Sequence, residues 1–175
     1  MPAGTSRKSG AYGIEPGTHR QRSDAFEEAC EVLIGLLSPQ ETLAFKGSCY
    51  ELTDARCNPK PVQQPHPPIC IRGSGEKRRL RTAARFAQHW NFDSGTPERF
   101  SRARDVLHQH CTDVGRDPAE IYCPAKCSSP ATRQRPAATA AALHAAGAEL
   151  AIVYLRPPYT PAVLEPLAYA LSELR

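Results

Sequence analysis

The chain has 175 residues, enough for one ordinary domain, and 41% of them are apolar. That share permits a packed core and argues against wholesale disorder. The net charge of +4, from 22 basic and 18 acidic residues, is too small a surplus for a dedicated nucleic-acid binder.

The N-terminus and the most apolar stretch both indicate a cytoplasmic protein without a membrane span. Residues 1–13 are polar and contain no apolar core of signal-peptide length. Residues 137–155 are apolar but are interrupted by His144, Gly147 and Glu149, which favours a helix followed by a buried strand. With no export signal, we expect the seven cysteines to be free thiols.

The first third of the chain predicts a tail, a helix and a hairpin. Residues 1–17 lack periodicity and are expected to be poorly ordered. Thr18 and Gln21 form a possible capping box for a helix that stops near Ser38, with an apolar stripe of Phe26, Cys30, Leu33 and Leu37. Residues 45–52 predict a hairpin turning at Gly47, and the proline-rich residues 58–68 an extended connector that blocks helix.

The rest of the chain alternates strands and helices. Thr96 is expected to cap a helix with Pro97 at its first position and a buried stripe of Phe100, Ala103, Leu107, Cys111 and Val114. The apolar run 150–155 predicts a strand buried on both faces. The predicted strands are 69–71, 90–92, 121–123 and 150–155, and the predicted helices are 76–89, 97–114, 135–146 and 161–174.

This alternation predicts a parallel α/β fold made of four strand–helix units. A complete eight-fold barrel needs about 250 residues, so four units are half of one. A half barrel leaves two open strand edges and an uncovered inner face, both of which need a partner.

Several segments, in order and spacing, resemble one family. They are 11–18, 22–30, 45–52, 58–71 running into Gly73-Ser-Gly-Glu-Lys77, 90–92, 95–98 and 114–121. Together they resemble the luciferase-like monooxygenases, in particular members that use coenzyme F420 or FMN. The resemblance implies a partial (β/α)₈ TIM-type barrel, with residues 18–175 as its C-terminal half. The chain departs from the family in lacking the first strands, in residues 123–135, which look degenerate, and in Arg72, where the family commonly has glycine.

Two loops are candidate cofactor-binding segments. Gly73, Ser74, Gly75 and Glu76 lie between a predicted strand and a predicted helix N-terminus, where free amides and the helix dipole favour an anion. The resemblance implies that this loop holds the cofactor phosphate, completed by residues that follow the next strand, namely Asn91, Ser94, Gly95 and Thr96. The simpler alternatives are an ordinary strand–helix turn and a plain helix cap at Thr96-Pro97.

Two other clusters have structural alternatives that we favour. Lys77, Arg81 and Arg85 recur every four residues, which fits a solvated helix face better than a nucleic-acid surface. A second cluster of two histidines and three cysteines could be interpreted as a zinc site; its members are His108, His110, Cys111, Cys123 and Cys127. We favour burial of these side chains, since no two of them have the spacing Cys-x-x-Cys.

The resemblance implies an oxidoreductase, truncated relative to the family and not a complete enzyme on its own, that transfers hydride between F420 or FMN and a small organic substrate, with or without oxygen insertion. No residue stands out as a catalytic acid or base, consistent with chemistry carried by a cofactor. The alternative is a non-catalytic half barrel, truncated relative to the family, that forms a homodimer or pairs with a complementary half. We expect neither a nucleic-acid nor a membrane partner.

Overall fold

A helix packed beside a hairpin makes up the first of two compact units, Met1–Pro67 and Pro68–Arg175, in the computed structural model. The structure describes residues 11–13, 17–93, 95–127, 136–154, 157, 160–163 and 165. The prediction of a poorly ordered 1–17 segment falls mostly outside these residues.

Helix α1, His19–Leu37, begins at the predicted capping box. The hydroxyl of Thr18 accepts from the amide of Gln21 at 3.2 Å, and the side-chain oxygen of Gln21 accepts from the amide of Thr18 at 2.8 Å. The helix ends before Ser38, as expected. The predicted stripe is confirmed in part, because Cys30 is buried and Phe26 and Leu37 are half-buried. Leu33, however, is 50% exposed, and Val32 is buried instead.

The predicted hairpin is confirmed. Strands β1, Leu43–Lys46, and β2, Glu51–Ala55, pair antiparallel, and the amide of Gly47 donates to the carbonyl of Tyr50 at 2.8 Å across the turn. The connector that follows contains no helix or strand between Ala55 and Cys70, and its Asn58–Pro59 and Gln64–Pro65 bonds are cis.

One carboxylate fixes the hairpin turn to α1. Glu28 accepts hydrogen bonds from the amides of Ser48, Cys49 and Tyr50 at 2.8, 2.7 and 3.1 Å. These hydrogen bonds, of which that from Cys49 has the largest effect, lower the pKa of Glu28 below its ordinary value. Desolvation raises the pKa, but by less than the Cys49 bond lowers it. A side chain at Gly47 would collide with this carboxylate, so glycine is needed there.

The second unit contains four parallel strands that neighbour one another in chain order. They are β3 (Cys70–Arg72), β4 (His89–Asn91), β5 (Pro124–Cys127) and β6 (Leu150–Val153). Strand β3 pairs with β4 and β5 pairs with β6, while the bridges His89–Tyr122 and Phe92–Ala125 join β4 to β5. The predicted parallel α/β class is therefore confirmed.

Three helices follow the first three of these strands. They are α2 (Arg79–Phe86), α3 (Pro97–Asp113) and α4 (Pro136–Ala145). Thr96 caps α3 and Pro97 is its first residue, as predicted. Gly115, with φ +71°, follows its end, as Gly147, with φ +97°, follows α4.

Several predicted bounds are wrong. Helix α2 begins three residues later than predicted, after the turn 76–78. Strand β5 lies at 124–127 and not at 121–123, because the segment that looked degenerate in sequence continues the ladder beside β4. Val114 is exposed at the C-cap of α3, and β6 is not buried on both faces, since Leu150 is 47% exposed. A 3₁₀ turn, Pro161–Val163, starts the last predicted helix, most of which lies outside the described residues.

The two faces of the four-stranded sheet differ. One face is buried from β3 to β5, and its centre is an aromatic cluster in which Trp90 stacks on Phe100 of α3 at 5.6 Å between ring centroids, with Phe92 edge-on to both. The alternate positions, apart from the buried Pro124, are exposed or half-buried, and we call them the open face; they are Cys70, Arg72, His89, Asn91, Tyr122, Lys126, Leu150 and Ile152. Among the described residues, no helix has the length and apolarity to cross a bilayer.

Candidate functional site

The loop after β3 is held against the end of β4 by two hydrogen bonds. The amide of Gly73, whose φ is +118°, donates to the carbonyl of Asn91 at 3.1 Å, and the Gly73 carbonyl accepts from the indole Nε1 of Trp90 at 2.8 Å. The expected helix start at Glu76 is wrong, because α2 begins at Arg79 with no side-chain cap. The amides of Gly73 to Glu76 therefore belong to a loop, and not to the first turn of a helix.

The loop after β4 leads into the capped end of α3. The hydroxyl of Thr96 accepts from the amide of Arg99 at 3.4 Å. Gly95, with φ +150°, lies so close to the ring of Phe92 that an added Cβ would be 2.8 Å from its Cζ. Glycine therefore lets this loop pass over Phe92. Ser94, which was predicted to contribute here, lies outside the described residues.

A cleft of about 170 Å³ lies where these loops meet α3. It contains two of the predicted residues, Ser74 and Glu76, and the lining is completed by Phe92, Arg99, Arg102 and Ala103. The predicted residues Gly73, Gly75, Asn91, Gly95 and Thr96 are in the surrounding loops and strand but do not line it. The volume is several times the roughly 30 Å³ that a water occupies in the liquid, and smaller than the roughly 300–1,000 Å³ of pockets that enclose a drug-sized ligand.

The cleft is positively charged overall. Arg102 contacts the carboxylate of Glu76 through both Nε, at 3.1 Å, and Nη2, at 3.4 Å, and His110 Nε2 lies 2.8 Å from the Glu76 carbonyl. Arg99 adds a second guanidinium to the same lining. Two cations against one carboxylate leave a net positive charge, so the arrangement favours an anion of the size of a phosphate group.

Sequence reasoning missed both arginines. Arg99 and Arg102 lie three residues apart in the first turns of α3, and this spacing places them on one side of the helix. The sequence carries one indication of them. Arg99 follows the cap residue Thr96 by three positions, so it lies close to any ligand bound at the helix N-terminus. Basic residues are frequent in this region, so the two arginines do not stand out in the sequence.

Comparison with known sequences decides the family. The family profile described as luciferase-like monooxygenase matches residues 3–170 of the chain. The chain belongs to the luciferase-like monooxygenase family. That family consists of enzymes, and the match agrees with the motifs quoted above.

Individual relatives of this luciferase-like protein match over part of their length. The FMNH₂-dependent dimethylsulfone monooxygenase of Pseudomonas putida is 35% identical over 77 residues, which are 44% of this chain and 20% of the relative. The coenzyme F420-dependent tetrahydromethanopterin reductase of Methanopyrus kandleri aligns with a TM-score of 0.53 and 21% identity, over 59% of this chain and 29% of the reductase. A riboflavin lyase solved with modified FMN aligns with a TM-score of 0.57 and 15% identity, over 70% and 32%. The structural likenesses show the shared fold, and the chain spans at most about a third of the relatives' lengths.

Asn91 of this luciferase-like protein lies outside the cleft, on the open face. It is half-buried and in register with Arg72 on β3. Its Oδ1 is inaccessible to solvent and has no hydrogen-bond partner within the described residues. A buried acceptor of this kind is costly to leave unpaired, so Asn91 is a polar group that the described part of the chain does not satisfy.

Of the two other clusters, the basic residues of the first are exposed and the cysteines of the second are buried. Lys77, Arg81 and Arg85 are exposed, while Leu80 and Ala84 on the opposite side of α2 are buried. The seven cysteines, all described, are free, and the described part of the chain contains no group of three or more metal-ligating side chains. Burial, with a further contribution from Glu149, raises the pKa of the Cys123 thiol to about 12, which disfavours the thiolate that a metal requires.

Proposed function

We propose that this chain forms the phosphate-binding part of the cofactor site of an FMN- or F420-dependent oxidoreductase. The observation that carries the proposal is the cleft between the two loops and α3, which combines phosphate size with two arginines. Membership in the luciferase-like family supports it. So do relatives whose names specify FMNH₂ and F420.

The residues of the cleft fit a phosphate by charge, size and access. Arg99 and Arg102 would pair with its oxygens, and the guanidinium geometry permits two parallel hydrogen bonds from each. Both arginines are exposed, so a phosphate can reach them. The carboxylate of Glu76 opposes a bound anion, and it would have to release Arg102 as the phosphate enters.

The proposed division of roles places the phosphate in the cleft and the ring of the cofactor over the open face. When bound, FMN or F420 supplies hydride transfer to or from a small organic substrate, with oxygen insertion as a further possibility in the FMN case. Asn91, which lies on the open face, would contact the bound cofactor. Ser74 and Glu76 on one side, and Arg99 and Arg102 on the other, would form the walls of the phosphate site, with Gly73, Gly75, Gly95 and Thr96 in the loops around it.

We further propose that the four strand–helix units are the C-terminal half of a luciferase-like barrel and complete it with a partner half. Strands β3 and β6 are the outer strands of the described parallel array, and the open face holds exposed apolar side chains such as Leu150. Both features favour pairing with a second copy or with a complementary half barrel.

The proposal is tested by titrating the purified chain with FMN and with F420 and following cofactor fluorescence. We expect saturable micromolar binding of one of them. The variants Arg99→Met and Arg102→Met should each weaken it about tenfold, because each loses a charge-assisted hydrogen bond. Arg81→Met, which removes an equally exposed arginine from the outer face of α2, is the matched control and should bind as the wild type does.

The variant Glu76→Gln should bind the cofactor more tightly than the wild type does, because the repulsion between the Glu76 carboxylate and the phosphate is removed and Arg102 is released. Absence of saturable binding of either cofactor by a chain shown to be folded would refute the phosphate site. Binding that is equally strong in Arg99→Met, Arg102→Met and wild type would place the cofactor elsewhere.

A further inference from the structure

The open face carries a second group of charged side chains that the cleft does not use. Arg72 ends β3, Asp93 lies two residues after the end of β4, and Lys126 lies within β5. Arg72 Nη2 is 3.9 Å from Asp93 Oδ2, and the two side chains are 59% and 35% exposed, so this ion pair is loose and accessible.

The strand register brings these residues together at one end of the sheet. Arg72 pairs with Asn91, and the Phe92–Ala125 bridge places Asp93 beside Lys126 one position further on. All of them lie at the carboxyl ends of parallel strands, where ligands bind in parallel α/β folds. The amino end of the same face holds the ring pair His89 and Tyr122 instead.

The neighbouring part of the open face is apolar. Lys126 is in register with Ile152 of β6, and its ammonium lies 3.9 Å from the ring centroid of Tyr154. Tyr154 is 54% exposed and Leu150 is 47% exposed, so an apolar strip borders the charged group. Stacking on Tyr154 holds the Lys126 ammonium at this boundary.

We propose that this end of the open face binds the substrate, and that the substrate is a small organic acid with an apolar body. Two cations and one carboxylate leave a single net positive charge, which matches a carboxylate or sulfonate monoanion. The anion would contact Arg72 and Lys126, and the apolar body would lie over Leu150, Ile152 and Tyr154. Calling the ligand a substrate rests on the proposed function, whereas the binding site itself does not.

The test uses hexanoate as the probe and hexanol as its uncharged counterpart. Titration of the ¹⁵N-labelled chain with hexanoate should give saturable shifts at the amides of Arg72, Asp93, Lys126 and Tyr154. Hexanol should bind about tenfold more weakly, and so should hexanoate to Arg72→Met or Lys126→Met. Arg81→Met and Lys77→Met are the matched controls and should bind hexanoate as the wild type does, with unchanged circular dichroism in all variants.

Three results would overturn the inference. They are the absence of saturable shifts, equal affinity for hexanoate and hexanol, and shifts confined to Arg99 and Arg102 in the cleft. Failure of FMN and F420 to bind, with hexanoate binding intact, would overturn the proposed function and leave the acid site standing. Cofactor binding without hexanoate binding would do the reverse.

Discussion

Three backbone amides in the hairpin turn, those of Ser48, Cys49 and Tyr50, donate to the carboxylate of Glu28. Such an arrangement stabilises the charged form, which is why the pKa of Glu28 is lowered. Because the folded pKa is below the unfolded one, the stabilisation is fully present above the ordinary value near 4.5. It is lost as the pH falls through the folded pKa.

Glu28→Gln should therefore remove an acid-sensitive part of the stability of the first unit. The amide group places an NH₂ donor where one carboxylate oxygen accepts, so the turn amides lose partners. In the wild type, the Glu28 carboxyl ¹³C signal and the amide protons of Ser48, Cys49 and Tyr50 should titrate together below pH 4.5. In the variant these amides should not titrate, and they should exchange faster with solvent at neutral pH.

The matched control is Glu51→Gln, which removes a carboxylate from the same hairpin. Glu51 pairs with Lys46 at 3.9 Å in an exposed ion pair, so loss of its carboxylate should change the stability of the first unit little. A Glu28 pKa at or above 4.5, or unchanged exchange at the three amides in Glu28→Gln, would contradict the role given to this carboxylate.

At the scale of elements, the two ends of α3 carry glycines with different surroundings. Gly95 precedes the helix, with φ +150° and the Phe92 ring in the path of any Cβ. Gly115 follows it, with φ +71° and open space around the Cβ position. Both positions disfavour L side chains by conformation, but only the first also does so by contact.

Gly95→Ala should therefore destabilise the second unit more than Gly115→Ala does. Conformational strain alone predicts a loss of about 1 kcal/mol at Gly115. The collision with Phe92 adds roughly 1–3 kcal/mol at Gly95. Urea unfolding followed by circular dichroism measures both. Equal losses in the two variants would show that the loop moves off Phe92 at little cost.

The same elements show what the sequence could and could not predict. Helix α3 was placed correctly because its cap Thr96, its first residue Pro97 and its terminator Gly115 each act locally. Strand β5 was misplaced by three residues because its pairing with β4 is decided by long-range hydrogen bonds, such as that from the Phe92 amide to the Pro124 carbonyl at 3.0 Å. The strand sequence Pro-Ala-Lys-Cys contains no β-branched or aromatic residue and gives little strand propensity to signal it.

Only part of the candidate site could be predicted from the sequence, for a similar reason. Ser74 and Glu76 belong to a glycine loop that can be recognised alone, and both line the cleft. Arg99 and Arg102 gain their meaning only when α3 folds back beside that loop, and the Glu76–Arg102 contact joins residues 26 positions apart. Local patterns predict the loops, whereas the charge of the cleft is a property of the packing.

At the scale of the whole molecule, the outer strands of the parallel array bear on assembly. An open parallel edge with exposed apolar side chains is a site of association in water. If two copies complete one barrel, the native species is a dimer with twice the 19.1 kDa mass of the chain. Sedimentation or light scattering measures this directly.

Leu150→Arg should shift that dimer towards monomer, since it puts a charge on β6, the outer strand of the described parallel array. Leu33→Arg is a suitable control, because Leu33 is exposed to a similar extent, 50% against 47%, but lies on α1 in the first unit. A stable monomeric wild type would rule out the homodimer and leave a complementary half as the partner.

The single tryptophan gives the molecule a built-in optical probe. Its indole donates to the loop after β3 and stacks on a ring of α3, so it touches both walls of the cleft without lining it. The wavelength of its fluorescence emission therefore depends on how closely the loop and α3 pack around the indole. Ligand entry and loop opening can therefore be watched in the unmodified protein, in real time and without a dye.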